Sequence, residues 1–263
     1  MGLAASVKRM ARVVLPNRLL GSMRLIRARR RYSGASRQQI FSDIYKKGVW
    51  GDSRETLYSG PGSLPENILP YAEFVSQFVA KHNIKSVVDF GCGDFQVGRR
   101  FDLGRANYLG CDIVPLVIEE NSRNFATPNR SFAVLDLLGD NEYPDAELCL
   151  IRQVLQHFSN ADVARVVGRL KKYRYVLVTD GQTVGDRSTT NFDIETFHLT
   201  RSIYESGLRL ELPPFSLPTT TVLEYDHVSD SGQAPRSPTK LRTILLQRLE
   251  RPTKSRSRTA GRS

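Results

Sequence analysis

Apolar positions recur along this chain with two different periods. Ile68, Ala72, Val75 and Val79 lie three or four residues apart, which predicts an amphipathic helix over 66–82. Ser86–Phe90, with the sequence SVVDF, follows as a short apolar run and reads as a buried strand. Similar runs stand at 108–113, 132–137, 147–151 and 175–180. Between them Pro115–Phe125 reads as a helix. Ser159 and Asp162 give a capping-box-like start, with Asp in place of Glu, to a helix bearing Val163, Val166, Val167 and Leu170. Strands alternating with helices predict βαβ crossovers and an α/β fold, its mostly parallel sheet covered on both faces. The pattern then changes. Residues 220–225 and 241–249 read as two strands joined by a Pro-, Ser- and Gly-containing loop at 226–239, which predicts an antiparallel hairpin at one edge of the sheet.

Ahead of this pattern, Leu3, Val7, Met10 and Val14 recur at helical spacing. After Pro16 the period continues through Leu19, Met23 and Ile26, and Arg27, Arg29, Arg30 and Arg31 follow. Three readings of residues 1–39 stay open. Residues 1–31 fit an anionic membrane surface, apolar side chains inward and arginines at phosphates. An acid-free, Arg-rich segment also fits an organelle presequence, and equally a solvated, partly disordered arm that sometimes packs on the domain. The opening MGLAAS matches the loose N-myristoylation pattern.

Charge separates these ends from the rest. The 263 residues carry a net charge of +11. Residues 1–37 hold ten basic side chains and no acid, and residues 236–263 hold nine basic and one acidic. The intervening residues have 19 basic against 26 acidic side chains. A nucleic-acid-binding core is therefore not what the basic total reports. The expected organisation is a basic arm over 1–39, one domain over 40–250, and a basic disordered tail over 251–263. No apolar run approaches the roughly 18 residues of a membrane span, and the N-terminus lacks the clean apolar stretch of a secretory signal. Cys92, Cys111 and Cys149 form no CxxC pair and read as reduced, buried thiols. These features place the protein in a cytoplasm, peripheral on the inner membrane face if the arm binds lipid.

Candidate chemistry sits where the strands end, since open α/β sheets bind ligands beyond the carboxyl ends of their strands. The first strand runs into Asp89-Phe-Gly91-Cys-Gly93, whose glycines let backbone approach a ligand closely. The second ends in Asp112, 23 residues after Asp89, where a carboxylate can accept both hydroxyl hydrogens of a ribose. The third ends in Asp136, placed to accept from an adenine amino group. A dinucleotide site would need a third glycine, and Asp94 would stand close to a pyrophosphate. S-adenosylmethionine carries no phosphate, and its sulfonium favours nearby acid.

The segments DFGCGD (89–94), GCDIV (110–114), VLDL (134–137) and CLIRQVLQHF (149–158) together resemble the motifs of class I S-adenosylmethionine-dependent methyltransferases, over about residues 40–250. Ile44-Tyr45, Val49-Trp50-Gly51, Ser59-Gly-Pro-Gly-Ser63 and Leu212-Pro-Pro-Phe215 more narrowly resemble a bacterial subgroup associated with glycan and sugar O-methylation. One departure stands out: Phe95 occupies the place of the family's third loop glycine.

The resemblance implies a Rossmann-like, doubly wound sheet of seven strands and S-adenosyl-L-methionine as cofactor. It implies cofactor contacts from Asp89, Gly91, Gly93, Asp112, Ile113, Asp136, Leu137, Arg152 and Gln153. Arg54, Ser59 and Gly60 would hold the methionine carboxylate. His157 is the candidate general base for an acceptor hydroxyl, with Asp180 to orient it or bind a sugar hydroxyl. A histidine that caps a helix or packs on the sheet is the alternative. Trp50, His198 (on an expected helix) and Phe215 are the candidate acceptor contacts. Asp180 and Asp193 are available to a divalent metal, although their spacing supports none. The expected acceptor is a sugar or glycan, free or lipid-linked. Two rivals are an RNA methyltransferase gripping phosphates with its tails, disfavoured by the acidic core, and a non-catalytic adaptor, disfavoured by the intact acids.

Overall fold

The computed structural model describes residues 17–51, 57–228 and 239–246. Helices α1 (Asn17–Arg31), α2 (Arg37–Lys46) and α3 (Pro65–His82) precede the sheet. Then come β1 (Ser86–Phe90), β2 (Asn107–Asp112), α4 (Pro115–Phe125), β3 (Arg130–Val134), β4 (Leu148–Arg152), α5 (Asn160–Leu170), β5 (Tyr175–Thr183), β6 (Thr219–Asp226) and β7 (Thr239–Leu246). The seven strands lie in the order β3-β2-β1-β4-β5-β7-β6. Strands β1 to β5 are mutually parallel, and β7 runs antiparallel to both β5 and β6. The strand order reverses between β1 and β4. That switch point opens a crevice beyond the carboxyl ends of the strands.

Adjacent residues in the central strands feed opposite faces of the sheet. Val88, Cys149 and Ile151 pack with Val163, Val166 and Leu170 of α5. Val87, Leu148 and Leu150 pack with Ile68, Val75 and Val79 of α3. Such side chains each contribute roughly 1.5–3 kcal/mol on full burial. All three cysteines are buried and unpaired.

Two expectations change. Strand β3 ends at Val134, so Asp136 stands two residues past it in a turn. The expected boundary at 39/40 falls inside α2, an unforeseen helix that buries Ile40, Ile44 and Tyr45. Of the readings left open for the arm, packing on the domain is met by α1, which sits on the 201–204 turn, where Gly21 lies against Tyr204 and Ile203 and any Cβ there would be tight. Ala28 joins Ile40, Ile44 and Phe197 in one apolar cluster. Two residues of the apolar stripe are not covered by the domain: Met23 is 39% and Ile26 50% exposed. Residues 1–16 and 251–263 lie outside the described residues. Among the described residues, no helix is long and apolar enough to cross a membrane.

Candidate active site

The loop after β1 is tightly held by the protein itself. The Gly91 and Cys92 N–H groups donate to the Cys111 carbonyl at 2.7 and 3.0 Å, continuing the β1–β2 pairing past the strand. Both Gly91 and Gly93 have positive φ. A Cβ on the first would collide with Val154 and on the second with Ser59 Oγ. Asn121 of α4 donates to the Gly93 carbonyl at 2.8 Å. Phe95 keeps the left-handed backbone of the glycine it replaces, at φ 61°. Its fully buried ring packs on Tyr108, Phe125 and Phe132, with the Arg130 guanidinium 5.1 Å from its centre.

This loop floors a cavity of about 1160 Å³, which also takes in the ends of β2 and β4 and part of α1 and α2. Asp112 lines it and accepts from the N–H groups of Gly93 (3.1 Å) and Val114 (3.0 Å). Burial pushes its carboxyl up to about 6 against those donors. Asp89 also lines the cavity, accepts from the Tyr108 hydroxyl at 2.7 Å, and is raised by burial to about 6. Asp94 is raised too, for the same reason, although the Ser59 and Gln96 N–H groups donate to it. Ile113 and Leu137 complete this wall. Asp136 lines the cavity with both oxygens engaged. Oδ1 accepts from the Leu138 N–H at 2.8 Å, and Oδ2 takes Arg37 Nη2 at 2.8 Å. An adenine amino group would have to share or displace Arg37.

The entry segment is tied in by side chains. Ser59 Oγ meets the Tyr45 hydroxyl at 2.8 Å and accepts from the Asp94 N–H at 2.8 Å. Ser59 and Gly60 line the cavity. Arg54 lies outside the described residues. Arg152 borders the cavity, but its Nη2 donates to the carbonyls of Gly62 (3.0 Å) and Asn67 (2.9 Å), so it fastens this segment to β4. Gln153, at φ 55°, lays its carboxamide against Gly62, where a side chain would leave no room.

On the opposite wall His157 is buried beneath aromatic rings. Trp50 lies 5.8 Å and Phe41 6.2 Å from it, centre to centre. Its Nδ1 is buried without a partner. Burial lowers its pKa to about 4, outweighing the backbone groups of Leu199 and His198 that favour the charged form. The imidazole is therefore neutral near pH 7 and able to accept a proton. His198 also lines the cavity, in a bend rather than the expected helix, and burial lowers it to about 4.

Two expected site residues are elsewhere. Asp180 is buried behind the cavity wall and no hydrogen bond joins it to His157. Burial raises it to about 7 despite the nearby charge of Arg201. Phe215 packs against the main core cluster and does not line the cavity. Among the described residues no group of His, Cys, Asp or Glu is arranged to hold a metal ion. Asp193 instead accepts from the Asn160 N–H at the start of α5.

Sequence reasoning missed Arg201, Tyr45 and Phe41. Arg201 is 1% exposed and donates to the carbonyls of Phe192 (3.0 Å) and Phe158 (2.8 Å) and to Asn160 Oδ1 (2.8 Å), which fixes the loop carrying His157. No spacing announces such an arginine. Phe41 and Tyr45 were legible, because Ser36 and Gln39 form a full capping box ahead of Ile40 and Ile44.

No family model matches the chain, and no curated protein does. Among solved structures it is similar to the N-methyltransferase NodS from Bradyrhizobium japonicum WM9 in complex with S-adenosyl-L-homocysteine. That match has a TM-score of 0.52 at 10% identity and covers 79% of this chain and 98% of that one. It is also similar to human N-acetylserotonin methyltransferase in complex with SAM, with a TM-score of 0.50 at 13% identity, over 81% of this chain and 60% of that one. The chain shares the methyltransferase fold. The seven-stranded, mostly parallel sheet and the antiparallel pairing of β6 and β7 agree with what the sequence led us to expect.

Proposed function

We propose that the protein is an S-adenosylmethionine-dependent O-methyltransferase acting on a sugar or glycan hydroxyl. One observation carries the reading: a single cavity joins the glycine loop and the acids at the ends of β1 and β2 to a buried, neutral His157 under Trp50. The residues fit the cofactor. Asp112 presents a carboxylate at the end of β2 for ribose hydroxyls, Asp89 and Asp94 add negative charge suited to a sulfonium, and the cavity volume admits a nucleoside and an acceptor together.

S-adenosylmethionine would supply a methyl group already activated on a sulfonium sulfur. The protein's share is then alignment and proton removal. An acceptor hydroxyl beside His157 would pass its proton to the neutral imidazole as its oxygen bonded to the methyl carbon, with the carbon–sulfur bond breaking and neutral S-adenosylhomocysteine leaving. Trp50 and Phe41 cover that imidazole and keep water from it, and an aromatic face suits the C–H surface of a sugar. Arg201 holds the His157 loop in place from behind.

Calorimetry with S-adenosylmethionine tests the cofactor, and Asp112→Ala should weaken binding by about 10- to 100-fold, the loss of one or two buried hydrogen bonds to a charged group. Acceptor pools incubated with labelled donor and read by mass spectrometry test the acceptor class. His157→Ala should lower turnover by about 10²–10⁴-fold with cofactor affinity retained. Full turnover in that variant would place the base elsewhere.

A further inference from the structure

The inner face of α1 adds a feature that methyl transfer to a neutral sugar does not use. Arg24, Arg27 and Arg31 follow one another at helical spacing and all line the cavity. Arg24 and Arg27 form no ion pair among the described residues. Arg31 reaches Asp43 only at 3.7 Å, and that carboxylate already holds Lys47 at 2.5 Å and the Tyr32 hydroxyl at 2.8 Å. Glu205 lines the same cavity and has a partner of its own.

These arginines stand on the His157 side of the cavity. Helix α1 packs on the 201–204 turn, the Tyr32 ring meets Phe197 at 5.6 Å, and the Phe197 N–H donates to the His157 carbonyl at 2.9 Å. Asp89 and Asp112 lie at the ends of β1 and β2 instead, and Asp94 in the loop after β1. All three side chains are solvent-exposed along the rim of the cavity, and like charges one turn apart repel each other, so an anion that joins them relieves that repulsion. Their planar forks match phosphate oxygens.

We propose that the acceptor carries a phosphate group, and that Arg24, Arg27 and Arg31 grip it while the methylated hydroxyl lies at His157. This rests on the methyltransferase reading for the hydroxyl, but the phosphate grip can be measured without it. The test uses the full-length protein and the fluorescence of Trp50, its only tryptophan. The protein is titrated with glucose 1-phosphate, inorganic pyrophosphate and unphosphorylated glucose, with and without saturating S-adenosylhomocysteine.

The phosphorylated probes should bind at least about tenfold tighter than glucose, a difference of about 1.4 kcal/mol. Arg24→Gln with Arg27→Gln should remove that preference, while Arg24→Lys with Arg27→Lys keeps part of it. S-adenosylhomocysteine affinity should stay the same in both variants. Equal binding of glucose and its phosphate by the wild type overturns the proposal, as does a preference that survives the Gln pair. Anionic vesicles form the last arm. If the Gln pair loses vesicle binding but keeps the phosphate preference, the arginines serve a lipid surface and the proposal fails. Absence of S-adenosylhomocysteine binding would sink the methyltransferase reading alone, because the phosphate preference is also read in its absence.

Discussion

Phe95 shows how one residue can depart from a motif and keep its backbone. A glycine at this place adopts φ 61° freely, whereas a phenylalanine there costs about 1–2 kcal/mol. The cost is offset by a ring with no exposure to solvent, seated against Tyr108, Phe125 and Phe132. Gly98 makes room for it, since a Cβ there would strike the same ring. Phe95→Gly should therefore destabilise the protein by about 2–4 kcal/mol in urea unfolding, the loss of a buried aromatic less the relieved strain. A gain in stability would show that strain outweighs packing. The motif was legible from its glycines and acids. The exchange of a glycine for an aromatic was visible too, but not the pocket under the loop that explains it. Asp136 teaches the reverse. Its place in the sequence fits an adenine contact, yet Arg37, 99 residues away, already holds it.

At the scale of elements, the central strands were legible because burial on both faces forces continuous apolar runs, and β4 is wholly buried over Leu148–Ile151. Helix α2 was missed, although its capping box is a plain local signal. Ser36 Oγ accepts from the Gln39 N–H at 3.2 Å, and Gln39 returns a bond to the Ser36 N–H at 2.8 Å. Ser36→Ala should cost about 1 kcal/mol. Because α2 carries Arg37, Phe41 and Tyr45 into the cavity, the same variant should weaken cofactor binding more than a comparable cap removed from α5. Comparing Ser36→Ala with Ser159→Ala by calorimetry reads this. Among its described residues, helix α1 buries only small ones, Gly21 and Ala28, against the domain, and Met23 and Ile26 face solvent together with its arginines. The exposed pair bears on the membrane-surface reading of this arm. Met23→Ser with Ile26→Ser should reduce flotation with anionic vesicles and leave the fold unchanged by circular dichroism. Unaltered flotation would remove the membrane from the account.

For the whole molecule, the net charge of +11 conceals a buried acidic interior. Asp89 and Asp112 are held near 6 and Asp180 near 7 by burial. Between about pH 4 and those values the folded protein retains protons that the unfolded chain releases, so their contribution to stability is lost as pH rises. His157 and His198, lowered to about 4, act in the opposite sense. Below about pH 6.5 the unfolded chain takes up protons that the folded protein refuses, so their contribution is lost as pH falls. From about pH 4 to 6 three raised carboxyls oppose two lowered imidazoles, so the two sets cancel in part. Above about pH 6.5 only Asp180 is still losing its proton, in a buried place with Arg201 too far off to form an ion pair. Wild-type stability should thus decline between pH 6.5 and 8. Asp180→Asn, which cannot ionise, should hold its thermal midpoint across that range and exceed the wild type at pH 8. Parallel curves for the two proteins would mean that Asp180 is ionised throughout, with Arg201 neutralising it, and would return this carboxylate to the set of candidate proton acceptors beside the cavity.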